Sequence, residues 1–179
     1  MVEPTNHPAR NEWERMLSGE LYVADSPQQQ EANMRKRRLV QAINTSEYDA
    51  FKERDELFHE LFGAFGEGGF VEPPFNCDYG CNTFIGKNFY ANMDCIFLDV
   101  ARITIGNDVW FGGNVVVGPG ITIGDDVVIG AGSVVVKDIP SHSVAVGNPC
   151  HVIREITDAD REYWEGKAAE YRAWKGSIQ

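Results

Sequence analysis

Residues 103–136 read ITIGNDVWFGGNVVVGPGITIGDDVVIGAGSVVV. Ile105, Phe111, Val117, Ile123, Ile129 and Val135 recur at every sixth position, and Gly106, Gly112, Gly118, Gly124 and Gly130 follow the first five. The fifth place of each hexad is also small or aliphatic: Val109, Val115, Ile121, Val127, Ser133 and Ile139. A period of six matches neither the helical 3.6 nor simple strand alternation, so the chain turns once per hexad. Three flat strands then close a triangular coil of about eighteen residues, and coil stacks on coil with the aliphatic row inside. Glycine and asparagine take the corner angles that β-branched residues resist.

Working outward, a weaker register runs through Ile85, Ala91, Phe97 and Ile103 and slips by two before Ile105, which places the first coil near Tyr79. Beyond Pro140 the repeat decays through Val144 and Val146, and Gly147-Asn148-Pro149 closes it. Thr157-Asp158 reads as a helix cap. The helix that follows, over 158–174, carries Tyr163, Trp164, Tyr171 and Trp174 and is expected to pack on the open end of the stack, since an uncovered edge invites aggregation.

Ahead of the coils the spacing turns helical, with Met16, Leu17 and Leu21, then Met34, Leu39, Val40 and Ile43, then Phe51, Leu57, Phe58, Leu61 and Phe62. Ser26-Pro27 is a cap with proline at the first helical position. Asn44-Thr45-Ser46 is a break with a new cap, and Gly63 to Gly69 ends the region. Arg35 to Arg38 read as a solvated helix face beside Glu31. The chain thus divides into a helical region over 8–66, a β-helix over 72–156 and a C-terminal helix over 157–179.

The 179 residues suffice for one core with a helical appendage. No apolar run reaches a membrane span, and the stretch Met1–Glu20 has neither a secretory nor a transit pattern, so a cytoplasmic location is the expectation. A net charge of −11 argues against nucleic acid as a partner. Cys77, Cys81, Cys95 and Cys150 are too scattered for a disulfide scaffold, and Cys77 with Cys81 lacks a second close pair for zinc, so no metal is expected and the four read as small buried side chains.

With the hexads in hand, the chain resembles the maltose, galactoside and nodulation-type sugar O-acetyltransferases. The resemblance rests on Met16-Leu17-Ser18-Gly19-Glu20-Leu21-Tyr22, Glu72-Pro73-Pro74-Phe75, Cys77-Asp78-Tyr79-Gly80, Asn88-Phe89-Tyr90-Ala91-Asn92, Ile103 to Trp110, Pro119 to Gly124 and Gly147-Asn148-Pro149. It implies a mainly β fold, a left-handed parallel β-helix that departs from the right-handed crossover rule. It also implies a homotrimer with active sites between subunits and acetyl-CoA as co-substrate.

By the same resemblance, Asn92 assists at the transition state, and Asp25, Asp78 and Asp99 fall near acceptor-binding positions. Trp110, Gly113, Ala131, Val136, Lys137, His151 and Arg154 fall at coenzyme A positions, with Val136 where a hydroxyl residue is common and His151 where an arginine is common. One segment is missing. In the family the Leu98-Asp99-Val100 stretch leads into further coils and a loop with a Thr-His-Pro type motif that supplies the general-base histidine. Here Val100 runs almost directly into Ile103-Thr104-Ile105-Gly106, an excision of about two coils that keeps the register. His7, His59, His142 and His151 all lie outside that motif, and only His151 is near the expected cofactor side, as a base or as a solvated or phosphate-facing group.

Three readings follow. One is an acetyl-CoA-dependent sugar O-acetyltransferase with a substitute base or slow residual transfer. A second is a catalytically impaired or inactive homologue serving as a binding or scaffolding protein. A third is a shortened form of an active enzyme.

Overall fold

The structure is a computed structural model that describes residues 10–177. Three helices lead: α1 (Glu12–Leu17), α2 (Pro27–Asn44) and α3 (Phe51–Leu61). The first two open on capping boxes, Asn11 with Glu14 and Ser26 with Gln29, and Pro27 occupies the first turn of α2 as its fixed φ favours. The break after α2 does not end in a new side-chain cap, because Ala50 precedes α3. Instead Arg54 reaches back from α3 and donates to Ser46 Oγ at 3.0 Å, the Glu47 carbonyl at 2.6 Å and the Tyr48 carbonyl at 3.0 Å.

Four coils of three strands follow. They are β1 (Ala64–Phe65), β2 (Phe70–Val71) and β3 (Phe75–Cys77); β4 (Thr83–Ile85), β5 (Tyr90–Ala91) and β6 (Cys95–Phe97); β7 (Ile103–Ile105), β8 (Trp110–Phe111) and β9 (Val116–Val117); and β10 (Thr122–Ile123), β11 (Val127–Ile129) and β12 (Val134–Val135). Successive coils pair in parallel into three walls: wall A is β1-β4-β7-β10, wall B begins β2-β5-β8-β11, and wall C is β3-β6-β9-β12. β13 (Ser143–Val146) adds to wall B, and β14 (His151–Glu155) turns back antiparallel to finish it.

The coils begin at Ala64, ahead of the expected start near Tyr79, and the Gly63–Gly69 stretch is not a linker. Its glycines and aromatics look like loop by composition, yet Phe65 pairs with Ile85 just as Ile85 pairs with Ile105. The two-residue slip has a physical seat. Cys77 pairs with Phe97 and Phe97 with Val117, twenty residues apart, whereas Val117 pairs with Val135, eighteen apart. The extra pair of residues lies at the corner joining wall C to wall A in the first two coils, where Asp78–Asn82 stacks on 98–102.

Inside, one aromatic column joins coils to helices. Phe75 meets Phe97 edge-on at 5.0 Å, Phe89 meets Phe111 at 5.1 Å, and Phe62 and Phe58 reach Phe75 at 5.5 and 5.8 Å. The lower edge of wall C is closed by Asn44, whose side chain exchanges both hydrogen bonds with the Phe75 backbone at 2.9 Å. The helices therefore cover an edge that would otherwise recruit another strand. Coils approach so closely that a Cβ on Gly112 would lie 2.4 Å from the Ala131 nitrogen. Gly112→Ala is expected to lower stability by about 1–3 kcal/mol, the usual cost of overpacking, read from the urea midpoint; an unchanged midpoint would show that the stack gives way freely there.

The last helix, α4 (Asp158–Ser177), departs from expectation. Tyr163, Trp164, Tyr171 and Trp174 are all more than half exposed, so it does not cap the stack. β14 already covers the upper edge of wall B, and the root of α4 is tied by Arg154–Asp160 at 2.9 Å, Arg161–Asp126 at 3.5 Å and Thr157 donating to Asp160. Ending the chain after Thr157 is accordingly expected to leave the unfolding free energy within about 0.5 kcal/mol of the parent, a difference of means in urea titration. A large loss would instead place α4 in the folding core.

Candidate active site

The triangular cross-section sorts the candidate residues by corner. Between walls B and C lie Asn92, Gly113 and Ala131, on successive coils above β5, β8 and β11. Between walls C and A lie Asp78 and Asp99 in the lower coils and Val136 and Lys137, both exposed, in the fourth. Trp110 faces outward from wall B, 45% exposed, beside Tyr90 and Val128. His151 and Arg154 sit on β14. The two corners bracket wall C, and crossing from Asn92 to the level of Asp78 takes roughly 20 Å of extended chain. One subunit alone does not bring these groups together.

Asn92 is held firmly. Its backbone N–H and its Nδ2 both donate to the Phe111 carbonyl, at 3.1 and 2.8 Å, and its own carbonyl accepts from the Cys95 thiol at 3.1 Å. One amide N–H and the side-chain oxygen are left for other partners.

Asp99 differs from the expectation of an acceptor contact. It is fully buried, and Oδ1 accepts from the Asp78 and Tyr79 N–H groups at 3.1 and 2.8 Å while Oδ2 accepts from the Asn82 N–H at 3.2 Å. Asn82 Nδ2 returns a bond to the Asp99 carbonyl at 2.8 Å. The carboxylate is consumed in bracing the wide corner below it and offers no edge to a sugar.

Asp25 and Asp78 fare differently. Asp25 is exposed and accepts from Gln30 Nε2 at 2.7 Å. Gln30 lines an open cleft of about 450 Å³ with Ala24, Gln29, Asn33, Met34, Arg37 and Tyr79. Asp78 immediately precedes Tyr79, is half-buried, and has its carboxyl pushed above the ordinary range by burial and by Asp99, with Lys36 of α2 opposing. The cleft lies between α2 and the wide corner, with Asp25 reaching it through Gln30 and Asp78 next to Tyr79 in the chain. Gln29 is 2% exposed, and among the described residues the acceptor for its Nε2 is the Met16 sulfur at 3.6 Å, a weak one, so an amide N–H remains available at the cleft wall.

The cleft residues were not singled out from sequence. Their signal was the polar row Gln29, Asn33, Arg37 at i, i+4 spacing on α2. The basic run is not one solvated face either. Arg35 donates to the Glu60 carbonyl, Lys36 faces Asp78, and Arg37 lines the cleft.

The histidines are scattered. His7 lies outside the described residues. His59 pairs with Asp55 on α3 at 3.8 Å, and His142 pairs through Nδ1 with Asp126 at 3.0 Å at the corner opposite wall C. His151 is exposed on β14 with Nδ1 3.3 Å from the Pro149 carbonyl. Cys77 and Cys95 are buried, and burial raises both thiols, Cys95 to about 11, so neither forms a ready nucleophile.

A coil stack capped by an N-terminal helical region is also what known families display. The maltose acetyltransferase hexapeptide capping motif matches residues 15–66, and the bacterial transferase hexapeptide motif, six repeats, matches residues 102–137. The galactoside O-acetyltransferase of Escherichia coli (strain K12) is 38% identical, covering 84% of this chain and 92% of the relative. The chain belongs to the maltose and galactoside O-acetyltransferase family. A solved maltose O-acetyltransferase from Clostridium difficile 630 superposes with a TM-score of 0.72 at 40% identity, covering 84% of this chain and all of that one. A galactoside acetyltransferase in complex with coenzyme A gives 0.72 at 35% identity, over 86% and 94%.

Against this sugar acetyltransferase background the excision is measurable. The alignment to the E. coli relative runs over 187 positions but takes in 84% of 179 residues, about 150, so about 37 positions have no counterpart here. That is the length of two coils. The groups that would meet coenzyme A are partly suitable. Gly113 and Ala131 keep the B–C corner low and Lys137 is an exposed cation, but Arg154 is already paired with Asp160 at 2.9 Å.

Proposed function

We propose that this protein is an acetyl-CoA-dependent O-acetyltransferase acting on a sugar or related polyhydroxylic acceptor. The observation that carries this reading is the cleft between α2 and Tyr79 of the wide corner, in a chain whose coil stack and helical cap both match sugar acetyltransferases. Gln29, Gln30, Asn33 and Arg37 supply donors and acceptors in the mix that hydroxyl groups need.

Coenzyme A in this reading lies along the B–C corner past Trp110, Gly113 and Ala131, toward Val136, Lys137, His151 and Arg154. When bound, it supplies the acetyl thioester. Asn92 points its remaining amide N–H at the thioester carbonyl as charge develops there. The separation of the two corners across wall C favours a homotrimer, in which one copy's B–C corner meets a neighbour's C–A corner. Among the described residues no helix is long and apolar enough to cross a membrane, and a cytoplasmic setting is the location this reading takes.

The shortfall of about 37 positions supports a second reading, a homologue that binds acetyl-CoA without transferring it. Thiol release from acetyl-CoA with maltose, glucose or galactosides, against a control without acceptor, separates the two. Acceptor-dependent release is expected; binding of acetyl-CoA with no release above control would establish the second reading.

A further inference from the structure

A helix standing in water is marginal by itself, and most helical stability in proteins comes from burying an apolar face. α4 carries Gly166 and Gly176, both of which weaken it, and from Arg161 to Gly176 every residue except Ala168 is exposed. Its aromatic residues nevertheless form one face. At about 100° per residue, Tyr163, Trp174, Tyr171 and Trp164 fall within a sector about 100° wide, the width of a core-facing stripe. They are 57%, 56%, 56% and 66% exposed, with Tyr163 edge-on to Trp164 at 5.2 Å and Tyr171 against Trp174 at 5.7 Å. Lys167 lies inside the sector, 5.9 Å from the centre of the Tyr163 ring, and donates to Glu170 at its margin at 2.8 Å.

We propose that this face pairs with α4 of a second copy, the two helices running antiparallel about a two-fold axis level with Ala168 and Ala169. In an antiparallel pair the same flank of each helix meets. Tyr163 then stands level with Trp174 of the other copy, Tyr171 beside its Trp164, and Lys167 level with its Glu170.

Charge selects both the occupant and the orientation. A parallel pair sets Lys167 on Lys167 near the middle of the stripe, whereas the antiparallel pair links the two Lys167–Glu170 couples into one alternating set. A lipid surface fits less well: α4 has five acidic residues against four basic ones in a chain of net charge −11, while helices that lie on anionic membranes are rich in Lys and Arg.

Covering the exposed parts of these rings on both copies removes roughly 900 Å² from water, the low end for specific association, so a micromolar constant is expected. At dilution below that constant the copies separate, which is the condition in which ending the chain after Thr157 leaves the unfolding free energy unchanged. The root of α4 is held to Asp126, at the corner away from wall C, so the pairing leaves wall C and its two corners to the proposed trimer.

Sedimentation equilibrium of the full chain across about 1–200 μM, beside the chain ended after Thr157, tests this. Assembly through the coils is common to both, so the excess in the full chain reads α4; its mass is expected to rise with concentration to at least about twice that of the truncated chain's assembly. Lys167→Glu and Glu170→Lys are each expected to weaken that excess association about tenfold, because symmetry repeats each charge contact. Either change also breaks the ion pair within the helix. The deciding sample is therefore their equimolar mixture, in which opposite charges meet again between copies while the internal pairs stay broken, and association is expected to be stronger than in either variant alone. A mixture no stronger than its components overturns the contact between copies, and single variants as strong as the parent overturn the antiparallel register. A full chain with no excess over the truncated one, or one that α4 instead carries onto phosphatidylcholine vesicles, overturns the pairing itself.

Discussion

Replacing Asp99 with alanine is expected to cost about 3–5 kcal/mol of folding stability, the range for stripping a charged partner from buried polar groups. The carboxylate is sealed from solvent, and three backbone N–H groups of the wide corner, from Asp78, Tyr79 and Asn82, end on it. With alanine those donors face a void, and water cannot follow without opening the corner. Asparagine is the sharper probe. It leaves an oxygen for the Asp78 and Tyr79 donors but turns an NH₂ toward the Asn82 N–H, so a loss of about 1–3 kcal/mol is expected. Urea unfolding of the three proteins measures both. If Asp99→Ala lies within 1 kcal/mol of wild type, the buried network does not hold the corner. The same corner carries Tyr79 to the cleft, so stability and acceptor binding are expected to fail together in Asp99→Ala.

That residue also marks how far the sequence could be read. The hexads from Ile105 to Val135 dictate coil, wall and core because each inward position is apolar and each corner is small, and the stack follows them residue by residue. The first coil is less legible: Phe65, Val71 and Cys77 keep the spacing of six, but Gly66, Gly68 and Gly69 among them read as loop. The wide corner was visible only as a slip in register. What fills it, a buried aspartate satisfied wholly by main chain, has no local pattern, since its partners lie 17 to 21 residues earlier. The resemblance alone places this Asp of a Leu-Asp-Val stretch near the acceptor, and nothing in the stretch marks it as buried. The α4 stripe misled in the opposite direction, because aromatic residues at helical spacing declare a face without naming what it packs on. The α2 row that lines the cleft is polar and leaves no mark against a solvated helix surface.

Asn92→Ala is expected to lower kcat by about 10²–10³ under the acetyltransferase reading, with acetyl-CoA affinity changed by less than about threefold. The size follows from preorganisation. One amide N–H is fixed on the Phe111 carbonyl at 2.8 Å, which aims the other with no reorientation when the oxyanion forms. A hydrogen bond that strengthens only as charge develops acts on kcat rather than on ground-state binding. Asn92→Asp tests the sign of that interaction: similar in shape, it presents oxygen in place of the donor and is expected to be no better than alanine. The structural alternative predicts a different pattern. If Asn92 serves only to tie one coil to the next, Asn92→Ala lowers the urea midpoint by the ~1 kcal/mol of a lost hydrogen bond and leaves kcat within threefold of wild type. Measuring kcat, acetyl-CoA binding and the midpoint on the same preparations separates the roles, because the oxyanion contact acts on the first and the coil tie on the last.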